Sequence, residues 1–535
     1  MAVMGVEMCS SRLMAPFFGT SITIWTTIIG STMIALAAGY YLGGIIAERA
    51  PRISLLGTLL FFASVFASVF VIFLPYTAQP VMQMTLGRFA EQAASSPAGS
   101  GFETYKVVIA LAICAVLISM PVVILAMTGP FIIRVHALSS AAVGRISGRV
   151  FAFSTLGSIL GTFLPALLLI PLVGTRLSFL IFGGLLLCVT LWSIERARFF
   201  FWGIGLLVLL SALLLGIQRL GTRHGQYLIE AKETNYQLVR IFRAPVETKA
   251  LGGQAYATLM LTEAGLGMQS MWVEGQSYTE SWQDLFTIVP RVYEVCNAKA
   301  PRGLLLLGLG GACAPYLISR SYPDLVIDGV EIDSGLISTA KPYFPFSLVK
   351  LLNIHISDGR TFVRSTRSQY DLIIVDMFRP PLIPYHVATA EFFNEAKQRL
   401  THNGILAMNV GTRGEKRVFD GIANTVASVF PYVYFAQYFR PDESSVFINR
   451  LIVASTQDLH LEQSEVEERI FSVSDKDWRQ ILNTMRDRQG FDRGQESYFR
   501  RVQFNPAEPC FSDDSSSLEI TAEKEFLGLI LGGNL

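Results

Sequence analysis

Between Gly303 and Val410 the chain runs through GLLLLGLGGACAP, DLVIDGVEID, NIHISDGRTF, YDLIIVD and GILAMNV in succession. Four of these five segments are short β-branched or leucine-rich runs that end in glycine or a carboxylate, and helical stretches lie between them. Strands alternating with helices in this way fold as a doubly wound α/β domain, which takes a nucleoside-sized ligand at the carboxyl ends of its strands. The first turn places Gly308, Gly310 and Gly311 between a buried strand and a helix, where backbone can approach a ligand closely. Glu331 follows Gly311 at the end of the second run, where a carboxylate can accept bonds from both ribose hydroxyls.

The third glycine of the dinucleotide fingerprint is absent, because Cys313 stands in its place, and this argues against NAD. Asp358 closes the third strand in SDGR and Asp376 closes the fourth in IIVD, a spacing that suits an adenosyl ligand. In a class I methyltransferase-like fold these two positions contact the adenine edge and the reacting sulfonium end. Each Asp could instead cap the helix that follows it, but three acids after three successive strands exceed what capping alone requires. Asp333 and Gly359, beside Glu331 and Asp358, join the candidate binding set.

At these residues the chain resembles the spermidine synthase family of polyamine aminopropyltransferases, particularly bacterial members fused to a membrane domain. SWQDLFTIVP looks like the family's Ser-Tyr-Gln/His-Glu segment, with Trp282 at the Tyr position and Gln283 at the ligand-binding Gln/His position. DMFRPPLIPYHVATAEFF is similar to the loop and helix over the active site. CFSDDSSSLEI resembles the threonine-Asp-Asp element near the end of fused members, and EMCSSRLMAPFFGTSITIW the start of their membrane domain. The resemblance implies decarboxylated S-adenosylmethionine as co-substrate and a small amine or polyamine as acceptor.

Two departures bear on chemistry. The family's glycine loop carries an Asp for the donor's amino group, and Gly311 is aligned with it. Its active-site loop carries Asp-x-x-Asp, whose second Asp orients and deprotonates the attacking amine, and Arg379 is aligned with it. A guanidinium there raises the cost of holding a cationic polyamine and favours a ligand with a carboxylate. Asp376 is then the expected polar partner of the amine, with His386, Glu391, Asp513 and Asp514 as candidates for the missing base.

A hydrophobic fraction of 51% with 16% charged residues, and a mean hydropathy of +0.43, place much of the chain outside the soluble class. The excess lies before residue 220. Apolar runs of membrane length occupy Ile22 to Ala47, Ser54 to Pro75, Val107 to Gly129, Phe151 to Leu172, Leu177 to Ile194 and Phe199 to Ile217. Met1 to Phe18 is a shorter seventh, and Glu7 and Arg12 within it speak against a cleavable signal peptide. Small residues in GSTMIALAAGYYLGG and TLGSILGT permit close helix approach, so a compact bundle is expected in preference to a transport pathway.

The expected organisation is thus a multi-pass α-helical membrane domain (1–217), a linker (218–235), a small β-hairpin subdomain (236–290), a Rossmann-like class I methyltransferase-like α/β domain (291–455) and a helical flank with the C-terminal segment (456–535). AASSPAGSG (93–101) reads as a flexible loop. Arg49, Arg52, Arg134, Arg145, Arg149, Arg196 and Arg198 lie on one face of the membrane, against Arg12, Arg88, Arg176, Arg219 and Arg223 on the other. That bias puts the C-terminal domain opposite the cytoplasm, whereas an adenosyl-sulfonium co-substrate calls for a cytoplasmic site. A net charge of +1 with no basic run gives no sign of nucleic-acid binding, and six dispersed cysteines form no metal or disulfide pattern. The expected reaction is aminopropyl transfer at a cell membrane, with membrane lipids and a homodimer as further partners. Methyl transfer from S-adenosylmethionine, or a non-catalytic nucleoside-sensing or scaffold role, are the alternatives.

Overall fold

The computed structural model describes residues 1–18, 22–67, 118–136, 140–193, 203, 206, 228–234, 236–248, 253–262, 267–276, 279, 281–377, 383–412, 416–438, 448–474, 478–479, 482 and 498–513. The expected run from Phe199 to Ile217 (but for Gly203 and Leu206), the loop 93–101, linker residues 218–227, Arg379 and Asp514 lie outside them. Two compact units divide the chain, one carrying the helices before Gln226 and the other the strands and helices from Tyr227 onward.

The first unit is helical: α1 (Ala2–Phe18), α2 (Ile22–Arg49), α3 (Ile53–Ala67), α4 (Ser119–Ala126), α5 (Thr128–His136), α6 (Ser140–Leu164) and α7 (Ile170–Ser193). A π-turn at Pro165–Leu169 joins α6 to α7. Among the described residues four helical stretches are long and apolar enough to cross a membrane: Trp25–Arg49, Ser119–His136, Val143–Leu169 and Leu172–Thr190. Ile53–Ala67 is shorter within the described residues. Small residues set the helix spacing. A Cβ on Gly39 would run into Val123 and Ala126 of α4, one on Gly43 into Met127, and one on Gly5 into the Phe182 ring of α7. Large apolar side chains point outward on the same unit, among them Ile34, Tyr41, Phe153 and Leu167.

The second unit contains two sheets. Strands β1 (Leu228–Glu233), β2 (Leu238–Thr248), β3 (Gly253–Thr262) and β4 (Gly267–Val273) form an antiparallel meander in chain order. β1 falls in the segment expected as linker, ahead of an expected hairpin. Its LIEAKE sequence reads as solvated, but Glu230 to Glu233 pair along β2 from Ile241 to Leu238, which makes it the edge of a four-stranded sheet.

The larger sheet contains β5 (Gly303–Leu307), β6 (Val326–Glu331), β7 (Leu352–Ile356), β8 (Tyr370–Val375), β9 (Leu400–Thr412), β10 (Tyr432–Tyr438), β11 (Ile448–Ser455) and β12 (Arg500–Val502). Their spatial order is β12-β10-β11-β9-β8-β5-β6-β7, with β7 to β9 parallel around β5 and the last three antiparallel. Strand order reverses between β5 and β8, which opens a crevice at their carboxyl ends. Helices α8 (Ile288–Asn297), α9 (Cys313–Ser321), α10 (Ser334–Ala340), α11 (Gly359–Ser365), α12 (Ala390–Lys397), α13 (Lys416–Val429) and α14 (Ser464–Phe471) complete the domain. Two apolar clusters fill its faces, one around Leu304, Leu306 and Tyr293, the other around Leu305, Ile373 and Phe392. The expected helical flank also supplies β12, whose Arg500 to Val502 pair with Phe435 to Val433.

Candidate active site

The turn after β5 is built from backbone that side chains would obstruct. Gly308 has φ +92, and a Cβ there would collide with the carbonyl of Asp376 at the end of β8. Gly310 has φ +52, and its Cβ would lie 2.8 Å from Ser270 Oγ on β4. Ser270 in turn accepts the Gly311 N–H at 2.8 Å, so the meander is fastened to the turn. Ala312, at φ +56, is a non-glycine residue in the left-handed region, which costs about 1–2 kcal/mol.

Glu331 stands at the end of β6 beside this turn. One carboxylate oxygen accepts from Gly310 N at 3.2 Å and the other from Asp333 N at 3.1 Å. A carboxylate has about four acceptor positions, so each oxygen keeps room for a further donor. Burial pushes the Glu331 carboxyl above its ordinary value, against these N–H bonds.

Asp376 extends β8 and its N–H donates to Leu307 O at 2.8 Å, which fixes it at the crevice between β5 and β8. Its Oδ1 accepts from Asn409 Nδ2 at 2.9 Å. Although part of the side chain meets solvent, its apolar setting raises the carboxyl to about 7, against the Asn409 bond that lowers it. A carboxyl with that value exchanges protons near neutral pH.

Several expected site residues serve structure. Asp333 was expected to bind ligand, but it caps α10 through Gly335 N and Leu336 N at 3.0 and 3.1 Å, and its other oxygen accepts from Thr234 Oγ1 and Gln237 Nε2. Gln283 is buried, and its Oε1 accepts from Met271 N at 2.9 Å, so it holds β4. Asp513 and Glu391, expected as bases, are also committed. Asp513 takes two bonds of 2.7 Å from Arg360 and one of 2.8 Å from Thr389, while Glu391 accepts from Asp513 N at 3.0 Å.

His386, expected as a base, pairs with Asp358, its Nε2 lying 3.3 Å from Asp358 Oδ2. Asp358 also caps α11 by accepting from Thr361 N at 2.9 Å. Partial burial opposes its ionisation, but the Thr361 N–H and His386 hold its carboxyl below the usual range. Gly359 begins α11 under Met377, whose side chain a Cβ would strike. No group of three or more potential metal-binding side chains occurs among the described residues.

Three shaping residues carry little or no local sequence signal. Asn409 is the one polar residue inside GILAMNV, within β9. Arg360 directly follows the SDG turn, but its partners Glu395 and Asp513 are remote in sequence. Phe344 gives no local signal; its ring lies where a Cβ on Gly311 would reach.

Sheet order, glycine turn and acids at successive strand ends together define a class I methyltransferase-like α/β domain. Within that class, residues 323–463 match the family model of the spermine/spermidine synthase domain, which makes the resemblance read from the sequence a finding for this segment. The polyamine aminopropyltransferase of Vibrio vulnificus (strain CMCP6) is 32% identical over 167 residues, covering 31% of this chain and 54% of that protein. The probable polyamine aminopropyl transferase of Bifidobacterium longum (strain NCC 2705) is 26% identical over 175 residues, covering 32% and 38%. The human eEF1A lysine and N-terminal methyltransferase is 30% identical over 148 residues, covering 25% and 21%. The chain thus spans about half the length, or less, of these curated relatives. The crystal structure of a probable spermidine synthase from Corynebacterium glutamicum ATCC 13032 aligns at a TM-score of 0.41 and 17% identity, covering 53% of this chain and 96% of that one.

Proposed function

We propose that the chain is a membrane-bound spermidine synthase-like transferase that moves an aminopropyl group from decarboxylated S-adenosylmethionine to an amine. The observation that carries this reading is the Asp376 carboxylate, held by Asn409 directly after β8 beside the glycine turn. The amine nitrogen attacks the carbon next to the sulfonium, the C–S bond breaks, and its electron pair goes to sulfur as methylthioadenosine leaves. The proton lost by nitrogen passes to Asp376. The sulfonium is already activated, so the protein contributes position and exclusion of water. Glu331 takes the ribose hydroxyls, the Gly308 to Gly311 turn passes beneath the nucleoside, and Asp358 meets the adenine edge with His386 behind it.

The four long apolar stretches support a multi-pass anchor in a cell membrane, with the α/β unit on the cytoplasmic side where the sulfonium donor is made. Arg379 supports an acceptor or donor that bears an anionic group as well as the reacting centre.

Methyl transfer from S-adenosylmethionine is the second reading, and the Gly311–Phe344 packing favours it. With Phe344 across that position, no side-chain carboxylate stands there to select a donor that lacks its own carboxyl group. Calorimetry with decarboxylated S-adenosylmethionine, S-adenosylmethionine and methylthioadenosine separates the two. Aminopropyl transfer requires tight binding of the first and third; preference for S-adenosylmethionine overturns it.

A further inference from the structure

The parallel register pairs Val375 of β8 with Met408 of β9, so Asp376, directly after β8, stands beside Asn409 within β9. Asn409 is 5% exposed. Its Nδ2 is spent on Asp376 Oδ1, and its Oδ1 has no hydrogen-bond partner. Asp376 Oδ2 likewise makes no hydrogen bond among the described residues. Turning the Asn409 amide over would face its oxygen to a carboxylate and lose the one bond it has. A buried carbonyl without a donor costs about 1–3 kcal/mol, so Asn409 Oδ1 holds an unmet acceptor beside a carboxylate oxygen that is open to a ligand.

We infer that Asn409 and Asp376 form a two-point receptor for a primary amino group, with Asn409 Oδ1 accepting one N–H and Asp376 Oδ2 another. A primary amine or ammonium supplies both donors from one atom, an alcohol supplies one, and a thioether or alkyl group none. The inference rests on the aminopropyl-transfer reading in taking that amine to be the acceptor. Asn409 then fixes the nitrogen's position and selects amines over alcohols, and its N–H keeps Asp376 able to take the proton. The 6-amino group of adenine carries the same two donors, and it is the competing occupant.

Binding to the full-length protein in detergent is measured for n-propylamine, n-propanol, methylthioadenosine and its 6-deamino analogue, methylthioinosine. Asn409→Leu should weaken n-propylamine by at least about tenfold while both nucleosides bind as in the wild type. Asn409→Asp keeps an acceptor but adds a like charge beside Asp376, so it should retain amine binding and move its pH dependence to higher pH. A purely structural asparagine would leave that pH profile in place.

Unchanged n-propylamine affinity in Asn409→Leu overturns the inference, as does a wild type that binds the amine no better than the alcohol. Loss of methylthioadenosine but not methylthioinosine gives the receptor to the nucleobase and overturns it too. Asn409-dependent amine binding in a protein that binds no nucleoside leaves the receptor standing and removes the aminopropyl-transfer reading instead.

Discussion

The ring of Phe344 occupies the space that a side chain on Gly311 would need: a Cβ there would lie 2.6 Å from Phe344 Cδ1 and 3.0 Å from Cε1. Phe344 is itself buried, so it has little room to yield. The glycine at this position and the phenylalanine opposite it are therefore one feature, and reinstating an Asp by itself should fail. Gly311→Asp is expected to lower the melting temperature and bind no nucleoside more tightly. Gly311→Asp with Phe344→Ala should recover part of the stability and shift preference toward the decarboxylated donor, as read by calorimetry. A single Gly311→Asp variant of native stability would show that Phe344 is free to move.

Glu331 gives a second expectation. A carboxylate that accepts two ribose hydroxyls contributes on the order of 1–3 kcal/mol. Glu331→Gln should weaken S-adenosylmethionine, its decarboxylated form and methylthioadenosine by a similar factor, since all share the ribose. Unchanged methylthioadenosine affinity removes Glu331 from the site.

Arg360 ties three segments together, with 2.9 and 2.8 Å bonds to Glu395, two bonds of 2.7 Å to Asp513 and one of 2.9 Å to the His386 carbonyl. Removing Arg360 takes the buried cation from this network while Arg364 stays on Glu395 and Thr389 on Asp513, and Arg360→Met is expected to cost on the order of 1–2 kcal/mol. Arg360 holds the Asp513 carboxyl below its ordinary value. A depressed carboxyl contributes stability that is present above its unfolded-state pKa and is lost as pH falls through the folded-state value. Limited proteolysis should accordingly cut near residue 513 readily in Arg360→Met at neutral pH, and in the wild type only under strongly acid conditions.

The raised carboxyl of Asp376 has the opposite sign. A folded-state value of about 7 against an unfolded value of 3.8 means that the native state binds the extra proton, so stability falls as pH rises between those two values. Asp376→Asn removes the titration. The variant should match the wild type in thermal stability below about pH 4 and exceed it at pH 8, while losing turnover. Equal melting temperatures at pH 8 would show that Asp376 ionises there without cost.

Much of this arrangement was legible from local pattern. The leucine-rich and β-branched runs ending at Gly308 and Asp376 are central parallel strands, because a strand buried on both faces stays apolar until its ligand end, while the run before Asp358 is the half-exposed edge strand β7. Gly39 and Gly43 likewise signal close helix approach by their size alone. Asp333 shows the limit. An acid at a strand end reads the same whether it faces ligand or caps a helix, and only the approach of Thr234 from β1 decides for the cap. The Arg360–Asp513 and Gly311–Phe344 contacts depend on tertiary placement, for which a single sequence carries no periodic signal.

In the proposed function, Arg379 takes the sequence position of the family's acceptor-site Asp. A guanidinium a few ångströms from an acceptor amine would disfavour a second cation by roughly 1–4 kcal/mol, depending on the local dielectric. The wild type is expected to be poor with putrescine and cadaverine and better with an amine that carries a carboxylate or phosphate. Arg379→Asp should raise diamine turnover.

The most direct measurement is mass spectrometry of the products formed by the full-length protein from decarboxylated S-adenosylmethionine and a panel of diamines and amino acids. Equal amounts of methylthioadenosine and an aminopropylated amine are expected, with turnover lost in Asp376→Asn. Methylated product formed from S-adenosylmethionine, with no aminopropyl transfer to any amine in the panel, would contradict it.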